Sequence, residues 1–363
     1  MTPAVFLDFC KLEAGYGEQQ ALRSFALENY TASEIVKILD TEKLGNAVDL
    51  ISGSHVTMFV TEKEVKEAKA DFAAAKAAGF NLDDVEWLSK EEMETVSCCH
   101  LVVALPFVKF SFKIYGTSYP AYRFPGRNLW PLKLVTELYN IARRKTSNFS
   151  LNIHTRTPVT SITPISHNSS NPSRRWTMNT PRGSISCSYI IHATNAYASH
   201  LLPHMHGPSG IIPTRGQVIA LRAAATLSEL SKTSWDGNEG FEYWFPRPVN
   251  KSEGTGTEKN PLVIIGGGRE AAEPPFEYYQ TDDSVTNKDV GKALKDFLPD
   301  VFPGKFEKGR EPEMEWVSLF YVLALQWNTL TMTVTDSRQE LWATQNSEIH
   351  SFVQSCSLRI RSR

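Results

Sequence analysis

The segment Leu262-Val-Ile-Ile-Gly-Gly-Gly-Arg-Glu-Ala271 bears most directly on the fold. It has the pattern of a buried strand followed by G-x-G-x-x-A, the phosphate-binding turn of a dinucleotide fold. Such a turn must open a helix, because the pyrophosphate rests on the helix N-terminus. Pro274-Pro275 would stop that helix within its first turn. We therefore interpret the segment as a glycine-rich strand end beside a ligand, and an NAD-linked dehydrogenase remains the alternative.

The sequence pattern changes near residue 146, where helix-like runs give way to mostly short strand-like runs. Apolar residues at helical spacing predict helices over 12–39, 61–78 and 132–145, and a last helix over 285–298. Short β-like runs predict strands over 56–60, 151–154, 159–162, 176–178, 184–186, 189–194, 217–221, 241–245 and 262–265. Helices first and a mixed sheet later indicate an α/β or α+β protein.

Two charged segments of the first part concern helices. Ser89-Lys-Glu-Glu92 is a capping box that predicts the start of a short helix. The mixed Glu and Lys run over 62–69 is typical of a solvated helix face. Neither segment indicates a chemical function.

Composition excludes several classes of protein. The 363 residues carry a formal charge of −2, which argues against a nucleic-acid binder or a binder of anionic membranes. Five cysteines without C-x-x-C spacing predict a reduced setting, with the cytoplasm as the expected location. His200, His204 and His206 are close in sequence, but Pro203 breaks a regular helix there, so we predict no metal site.

Two apolar stretches raise the question of a membrane span. The stretch 101–115 is short and carries two lysines, and 316–335 contains a glutamine, an asparagine and several hydroxyl residues. A spanning helix needs about 20 predominantly apolar residues, so we predict no membrane partner. A non-enzymatic protein tethered through 316–335 is kept as a second alternative.

Several segments in the same order resemble the FAD-dependent oxidoreductases of the D-amino-acid oxidase, glycine oxidase and sarcosine oxidase superfamily. Residues 126–134 are similar to the glycine-then-proline entry to a helix, and 151–162 to a strand pair that touches the flavin adenine. Residues 189–197 resemble the strand that closes the FAD domain, with Asn195 where glycine is usual. Residues 213–218, 243–246 and 266–269 resemble strands of the substrate domain.

The resemblance implies an incomplete FAD-binding dinucleotide fold joined to a mixed antiparallel-sheet substrate domain. It assigns 1–96 to a helical part of the FAD domain, 115–210 to the rest of that domain and 211–316 to the substrate sheet. Residues 97–114 form an atypical apolar insertion, and 317–363 match nothing in the family. Val-Ser occurs at the start of both unmatched stretches, at 96–97 and 317–318, which suggests translated introns.

The family's first strand and phosphate turn would precede Met1, so the chain resembles a family member truncated at both ends. FAD owes much of its binding energy to the helix N-terminus at that turn. We therefore expect weak FAD binding and poor activity in the chain as written.

The activity that the resemblance implies is oxidation of an amine or amino acid. A hydride passes from the substrate α-carbon to the flavin, and O2 reoxidises the flavin. Tyr243 and Arg269 are the candidate substrate-binding residues, with Arg247 as a substitute carboxylate clamp. The cofactor candidates are Val159, Ala193, Thr194 and Asn195. By pattern alone, Tyr243 and the arginines remain equally compatible with a strand aromatic and surface charges.

Overall fold

A computed structural model describes residues 2–95, 119–144, 151–165, 173–207, 210–230, 234–248, 259–273, 275–323, 333–336 and 339–341. Its helices are α1 Phe9–Tyr16, α2 Glu18–Thr41, α3 Glu62–Ala77, α4 Lys90–Thr95, α5 Pro131–Arg144, α6 Ala198–Leu201, α7 Leu227–Leu230 and α8 Lys288–Val301. Its strands are β1 Ile51–Met58, β2 Glu86–Leu88, β3 Ala121–Asn128, β4 Ser161–Pro164, β5 Trp176–Thr180, β6 Gly183–Cys187, β7 Ile190–His192, β8 Ile211–Arg222, β9 Ser234–Gly237, β10 Glu242–Pro246, β11 Leu262–Gly267, β12 Met314–Leu323, β13 Thr333–Asp336 and β14 Gln339–Leu341.

The strands form one large sheet and two small ones. The large sheet has the order β12-β8-β11-β10-β9-β1-β3-β2. Its β10 and β11 pairings are antiparallel, and β1 pairs with β9 in parallel. The small sheets are β14-β13-β7 and β4-β5-β6. The chain is therefore a mixed α/β protein, as the sequence predicts.

Two compact units divide the chain. The first comprises 1–146, 215–277 and 282–318, and the second comprises 147–214, 278–281 and 319–363. Strands β1 to β3 belong to the same sheet as strands from residues 215–277, so the sheet draws on widely separated parts of the sequence. The segment assignments drawn from the resemblance stay predictions.

The large sheet has two chemically different faces, because side chains alternate along each strand. One face carries a continuous buried row across five strands and packs against α8. That row consists of Val56, Trp235, Trp244, Ile265 and Ile219. The opposite face, which we call the site face, carries Tyr122, Thr57, Asp236 and Tyr243 in register. The helix face is thus the main core, and the site face combines polar groups with a buried part around Tyr122 and Thr57.

The first helices differ in detail from the prediction. The helix predicted over 12–39 is two helices, because Gly17 takes a φ of 84° between α1 and α2. The capping box at Ser89 is confirmed by reciprocal bonds with Glu92 of 2.7 and 3.2 Å. The run over 62–69 is not wholly solvated, since Glu64 is buried and accepts bonds from Thr61 and Glu239 backbone amides at 2.6 and 2.8 Å. Glu64 therefore fixes the start of α3.

Most predicted strands are present, with shifted ends. The hairpin predicted around Pro181-Arg-Gly183 is confirmed as β5 and β6. The strand predicted over 151–154 is wrong, because that segment has no regular structure. The predicted insertion 97–114 lies outside the described residues, as does most of the tail 317–363.

The stretch 316–335, considered above as a membrane span, forms strand wherever the structure describes it. Its described parts belong to β12 and β13, so the helix required by the tethered-protein alternative is not formed there. Strand β12 also continues past the predicted family boundary at residue 316. Within the described residues, none of the helices has the length and apolar character needed to cross a bilayer.

A buried polar network fixes the start of α8 to β8. Arg215 forms an ion pair with Glu277, and the two side chains are only 11% and 4% exposed. Glu277 also accepts a 2.7 Å bond from the side chain of Asn287, which caps α8. Gln217 accepts the Asn287 N–H at 2.8 Å and donates to Glu315 at 2.6 Å. The network therefore couples three elements of the first unit.

Candidate functional site

The glycine-rich segment 262–271 ends a strand and opens no α-helix. Strand β11 pairs antiparallel with both β10 and β8, so it has no parallel partner of a βαβ unit. The chain then makes a single 3-10 turn, Arg269–Ala271, and Gly268 before it has a φ of 67°. A pyrophosphate site needs the N-terminus of a following helix. The NAD-linked alternative built on this motif is therefore wrong.

The same glycines make room for Tyr243. Tyr243 lies directly across from Gly266 in the β10–β11 ladder. A Cβ atom on Gly266 would stand 2.5 Å from Cζ of the Tyr243 ring, so the phenol occupies the space that a side chain would take. Tyr243 is 43% exposed. Tyr243 therefore lies over a strand end that carries no side chains, and part of the residue is accessible to a ligand.

Arg269 is close enough to act on Tyr243 electrostatically. Burial raises the pKa of the Tyr243 phenol above its ordinary value, and the positive charge of Arg269 opposes that rise. Both residues belong to the first unit, at the glycine-rich end of β11. The structure therefore places the phenol and the guanidinium at the same end of the sheet, and their binding of substrate stays a prediction.

Arg247 lies at the other end of β10. It is four residues beyond Tyr243, or ~13 Å along an extended strand. Its backbone N–H bonds to Leu262 O at 2.8 Å. The pKa of Glu313 is lowered first by its hydrogen bond with Arg222, and the charge of Arg247 adds to that effect. Arg247 therefore lies near Glu313, at the end of β10 opposite Tyr243.

A second polar group lies next to Tyr243 on the site face. Asp236 of β9 is the cross-strand partner of Tyr243, and its Oδ2 is 3.2 Å from Nε2 of His55. His55 Nδ1 lies 2.9 Å from Oγ of Ser234. Its ring also packs on Phe124, with the centroids 5.2 Å apart. His55 and Ser234 are buried, so this is an ordered cluster inside the sheet face.

The start of β10 carries a buried acid on its other side. Glu242 is buried, and its Oε2 accepts a 3.0 Å bond from the Asn238 amide. Burial, followed by a hydrogen bond with the Glu270 carboxyl, raises the pKa of Glu242 to about 8. Asn238 and the backbone at Gly268 act in the opposite direction on this pKa. Glu242 thus keeps a proton at neutral pH, beside the turn that carries Arg269.

The proton on Glu242 makes stability depend on pH. From about pH 5 to 7.5 the folded protein keeps a proton on Glu242 that the unfolded chain has released. The free energy of unfolding should therefore fall by about 1 kcal/mol per pH unit in that window. The difference between wild type and Glu242→Gln, measured by urea unfolding across these pH values, isolates this contribution. Glu67→Gln removes an exposed acid and should leave the slope unchanged, and an equal slope in Glu242→Gln would contradict the prediction.

The predicted cofactor residues all lie in the second unit. Val159 is half-buried in an irregular segment just before β4. Ala193 and Thr194 are exposed after β7, and Asn195 begins a 3-10 turn. Asn195 has a φ of 49°, a left-handed conformation that Asn tolerates better than most side chains. This backbone conformation is one that glycine also adopts readily.

Histidines and acids elsewhere in the described chain do not form a metal cluster. No group of three or more His, Cys, Asp or Glu side chains among the described residues could hold a metal ion. His192 and His204 are near each other, since burial and the charge of His204 lower the pKa of His192.

Sequence analysis missed two parts of the site: the cluster of His55, Ser234 and Asp236, and the buried Glu242. Alternation in Ser234-Trp-Asp-Gly237 could have placed Ser234 and Asp236 on one face, but their partner comes from β1.

Comparison with known proteins identifies a fold. No protein-family model and no curated protein matches the sequence. Glycine oxidase from Geobacillus kaustophilus matches with a TM-score of 0.52 at 17% identity, covering 84% of this chain and 67% of that one. Glycine oxidase from Bacillus cereus ATCC 14579 matches with 0.54 at 14%, covering 81% and 68%. L-proline dehydrogenase from P. horikoshii matches with 0.51 at 12%, covering 80% and 66%.

The chain therefore spans about two thirds of the length of each of these proteins. The similarity lies in the fold, because the identities are low. It confirms the fold class expected from the resemblance.

Proposed function

We propose that this chain, which has the fold of the FAD-dependent amino-acid oxidase superfamily, is an oxidoreductase that acts on an amine or amino acid. The observation that carries the proposal is the placement of Tyr243 and Arg269 at the bare glycine end of β11. A guanidinium binds a carboxylate through two parallel hydrogen bonds, which a lysine does less well. A phenol beside it holds the substrate from a second direction, so the pair can orient a small carboxylate.

The cofactor of the proposed reaction is FAD. The exposed Ala193, Thr194 and Asn195 and the half-buried Val159 fit the contacts of an adenine and ribose, which are made largely through backbone groups. When bound, FAD supplies the chemistry: it accepts a hydride from the carbon next to the substrate nitrogen and returns the electrons to O2 as hydrogen peroxide. The protein's own part is to bind and orient the substrate.

FAD binding should be weak, with a Kd of roughly 1–100 μM. Within the described ranges no strand runs into a glycine-rich turn that opens a helix, so the usual pyrophosphate site is not among these residues. Flavin fluorescence on titration of the purified chain measures the Kd. Ala193→Trp places a large ring on the adenine contact surface and should weaken FAD binding at least tenfold.

The control for this experiment is Ile185→Trp, which adds the same ring at an exposed position of the second unit. Ile185→Trp should bind FAD as tightly as wild type does. NAD should bind neither to wild type nor to this variant. The absence of FAD binding at millimolar concentration, or tighter binding of NAD than of FAD, would overturn the proposed function.

A further inference from the structure

Strand β6 has one side that pairs with no other strand in the described structure. The sheet order is β4-β5-β6, so β6 pairs with β5 and lies at an edge. Residues 183–186 of β6 are exposed, and none of the five residues of the strand is charged or a proline. We propose that this edge binds an acidic, extended segment of a partner protein, which adds to the sheet as a fourth strand. The inference is independent of the proposed function.

The backbone of β6 offers outward-facing hydrogen-bonding groups. Ser186 O accepts a 3.0 Å bond from the Arg174 guanidinium, so this carbonyl faces away from β5. In an antiparallel ladder the N–H and C=O groups of one residue face the same side, and successive residues alternate. The N–H of Ser186 and both backbone groups of Ser184 therefore also face outward. An added strand can bond to these groups and replace Arg174 at Ser186 O, which frees that guanidinium for a carboxylate.

The opposite edge of the same sheet is less suited to pairing. Strand β4 ends in Pro164, which has no N–H to donate. Proline and lysine are among the residues that keep natural edge strands from pairing with other chains. Strand β6 contains neither of them. The difference between the two edges points to β6 as the one that accepts a further strand.

Arginines lie at both ends of β6. Residues 147–214 contain four arginines and no Asp or Glu. Arg182 lies in the turn that precedes β6. At the far end, Arg174 bonds to the strand, and Arg175 donates its backbone N–H to Cys187 O at 2.9 Å. A strand of five residues is ~17 Å long, so positive charges flank the open edge at about that separation.

These charges select an acidic partner. Arg174 and Arg182 both donate to neutral oxygens, at 3.0 and 3.1 Å. The described acids of the second unit, Asp336 and Glu340, belong to β13 and β14 of another sheet. A guanidinium binds a carboxylate through two parallel hydrogen bonds. A segment with carboxylates at both ends and an uncharged middle therefore matches this edge in charge.

The same charges argue against a second copy of this chain as the occupant. Two antiparallel β6 strands would bring Arg182 of one copy beside Arg174 of the other. Like charges opposite each other on neighbouring strands are destabilising. Ile185 is 43% exposed, on the face opposite to the neighbouring serines, and it offers an apolar contact. The middle of the partner segment should therefore alternate small polar and β-branched apolar residues.

Fluorescence anisotropy of labelled peptides, titrated with the full chain, tests this inference. The probe is the peptide EETVTVEE, and QQTVTVQQ and KKTVTVKK are matched peptides. Wild type should bind EETVTVEE at least tenfold more tightly than QQTVTVQQ, and KKTVTVKK should not bind. Methylation of one alternate set of backbone nitrogens in EETVTVEE should weaken binding at least tenfold, and methylation of the other set should not. The reason is that only alternate N–H groups of an added strand face the sheet.

Variants of the chain separate backbone pairing from charge. Ser186→Pro removes an outward N–H, a position where an edge strand tolerates proline, and should weaken binding of EETVTVEE at least tenfold. Ser186→Ala keeps that N–H and should bind like wild type. Arg174→Gln combined with Arg182→Gln should abolish the preference for EETVTVEE over QQTVTVQQ. Arg144→Gln, at an exposed arginine of α5, is the charge control and should keep the preference.

Several results would overturn the inference. They are equal affinity of wild type for the three peptides, equal effects of the two methylation sets, and undiminished binding by folded Ser186→Pro. If circular dichroism shows that Ser186→Pro does not fold, the methylated peptides decide with wild type alone. A dimer in analytical ultracentrifugation that Ser186→Pro abolishes would show that a second copy takes the edge, against the inference. Loss of FAD binding would overturn the proposed function and leave the edge site standing.

Discussion

Glu277→Gln is expected to lower the free energy of unfolding by about 3–5 kcal/mol. The change leaves the guanidinium of Arg215 without its counter-charge in a site where that side chain is only 11% exposed. Arg215 keeps its bonds to the carbonyl oxygens of Asp282 and Val285, at 3.2 and 2.9 Å, but those neutral groups do not replace a carboxylate. Urea unfolding monitored by tryptophan fluorescence measures the loss.

Two controls separate burial from charge pairing in this experiment. Glu86→Gln removes the carboxylate of an ion pair with Arg123 in which Glu86 is 54% exposed, and it should cost less than about 1 kcal/mol. The double change Arg215→Met with Glu277→Met removes both charges and should recover most of the loss. If Glu277→Gln costs no more than Glu86→Gln, the network at the start of α8 does not stabilise the fold as described.

Gly267→Ala is expected to cost more than about 4 kcal/mol, or to prevent folding. Gly267 has a φ of 124°, which L side chains rarely adopt. A Cβ atom there would meet backbone rather than a movable side chain: Phe241 O in direct clash, Phe241 C at 2.7 Å and Glu242 Cα at 2.9 Å. Relief requires β10 and β11 to separate, which would displace Tyr243 from Gly266.

Gly183→Ala is the matched control for that substitution. Gly183 has almost the same φ, 122°, but a Cβ atom there would meet nothing within 4 Å. Its cost should be only the backbone strain, ~1–3 kcal/mol. The difference between the two variants in thermal unfolding therefore measures the close approach of the strands. Equal costs would mean that the Gly267 backbone has room that the structure does not show.

Local chemistry made several elements predictable from the chain alone. The capping box at Ser89 and the hairpin around Gly183 depend on residues within a few positions of one another, and both are present. The strand pattern over 262–265 was sufficient for β11, and the two prolines after it argued correctly against a helix. The resemblance added the relation to the FAD-dependent oxidoreductase fold, and it suggested Tyr243 and Arg269 as candidate substrate-binding residues.

The pairing of strands that are distant in the sequence could not be predicted from the sequence. His55 and Asp236 are 181 residues apart in number, and only the parallel pairing of β1 with β9 makes them neighbours. Arg247 was predicted as a substitute for Arg269, yet the direction of β10 places it near Glu313. The Glu and Lys run over 62–69 was predicted to be a solvated helix face. Periodicity does not show which of its acids will cap the helix.

The amino-acid sequence by itself determined most of the helices and strands, though not their exact ends, which glycines end a strand, and to which fold the chain is related. These follow from steric limits and hydrogen bonds within a few residues. Tertiary structure alone decided that Asp236 stands beside Tyr243 and that Glu242 keeps a proton. Both depend on which strands become neighbours and on the burial that results, and these are set by the whole chain rather than by any local segment.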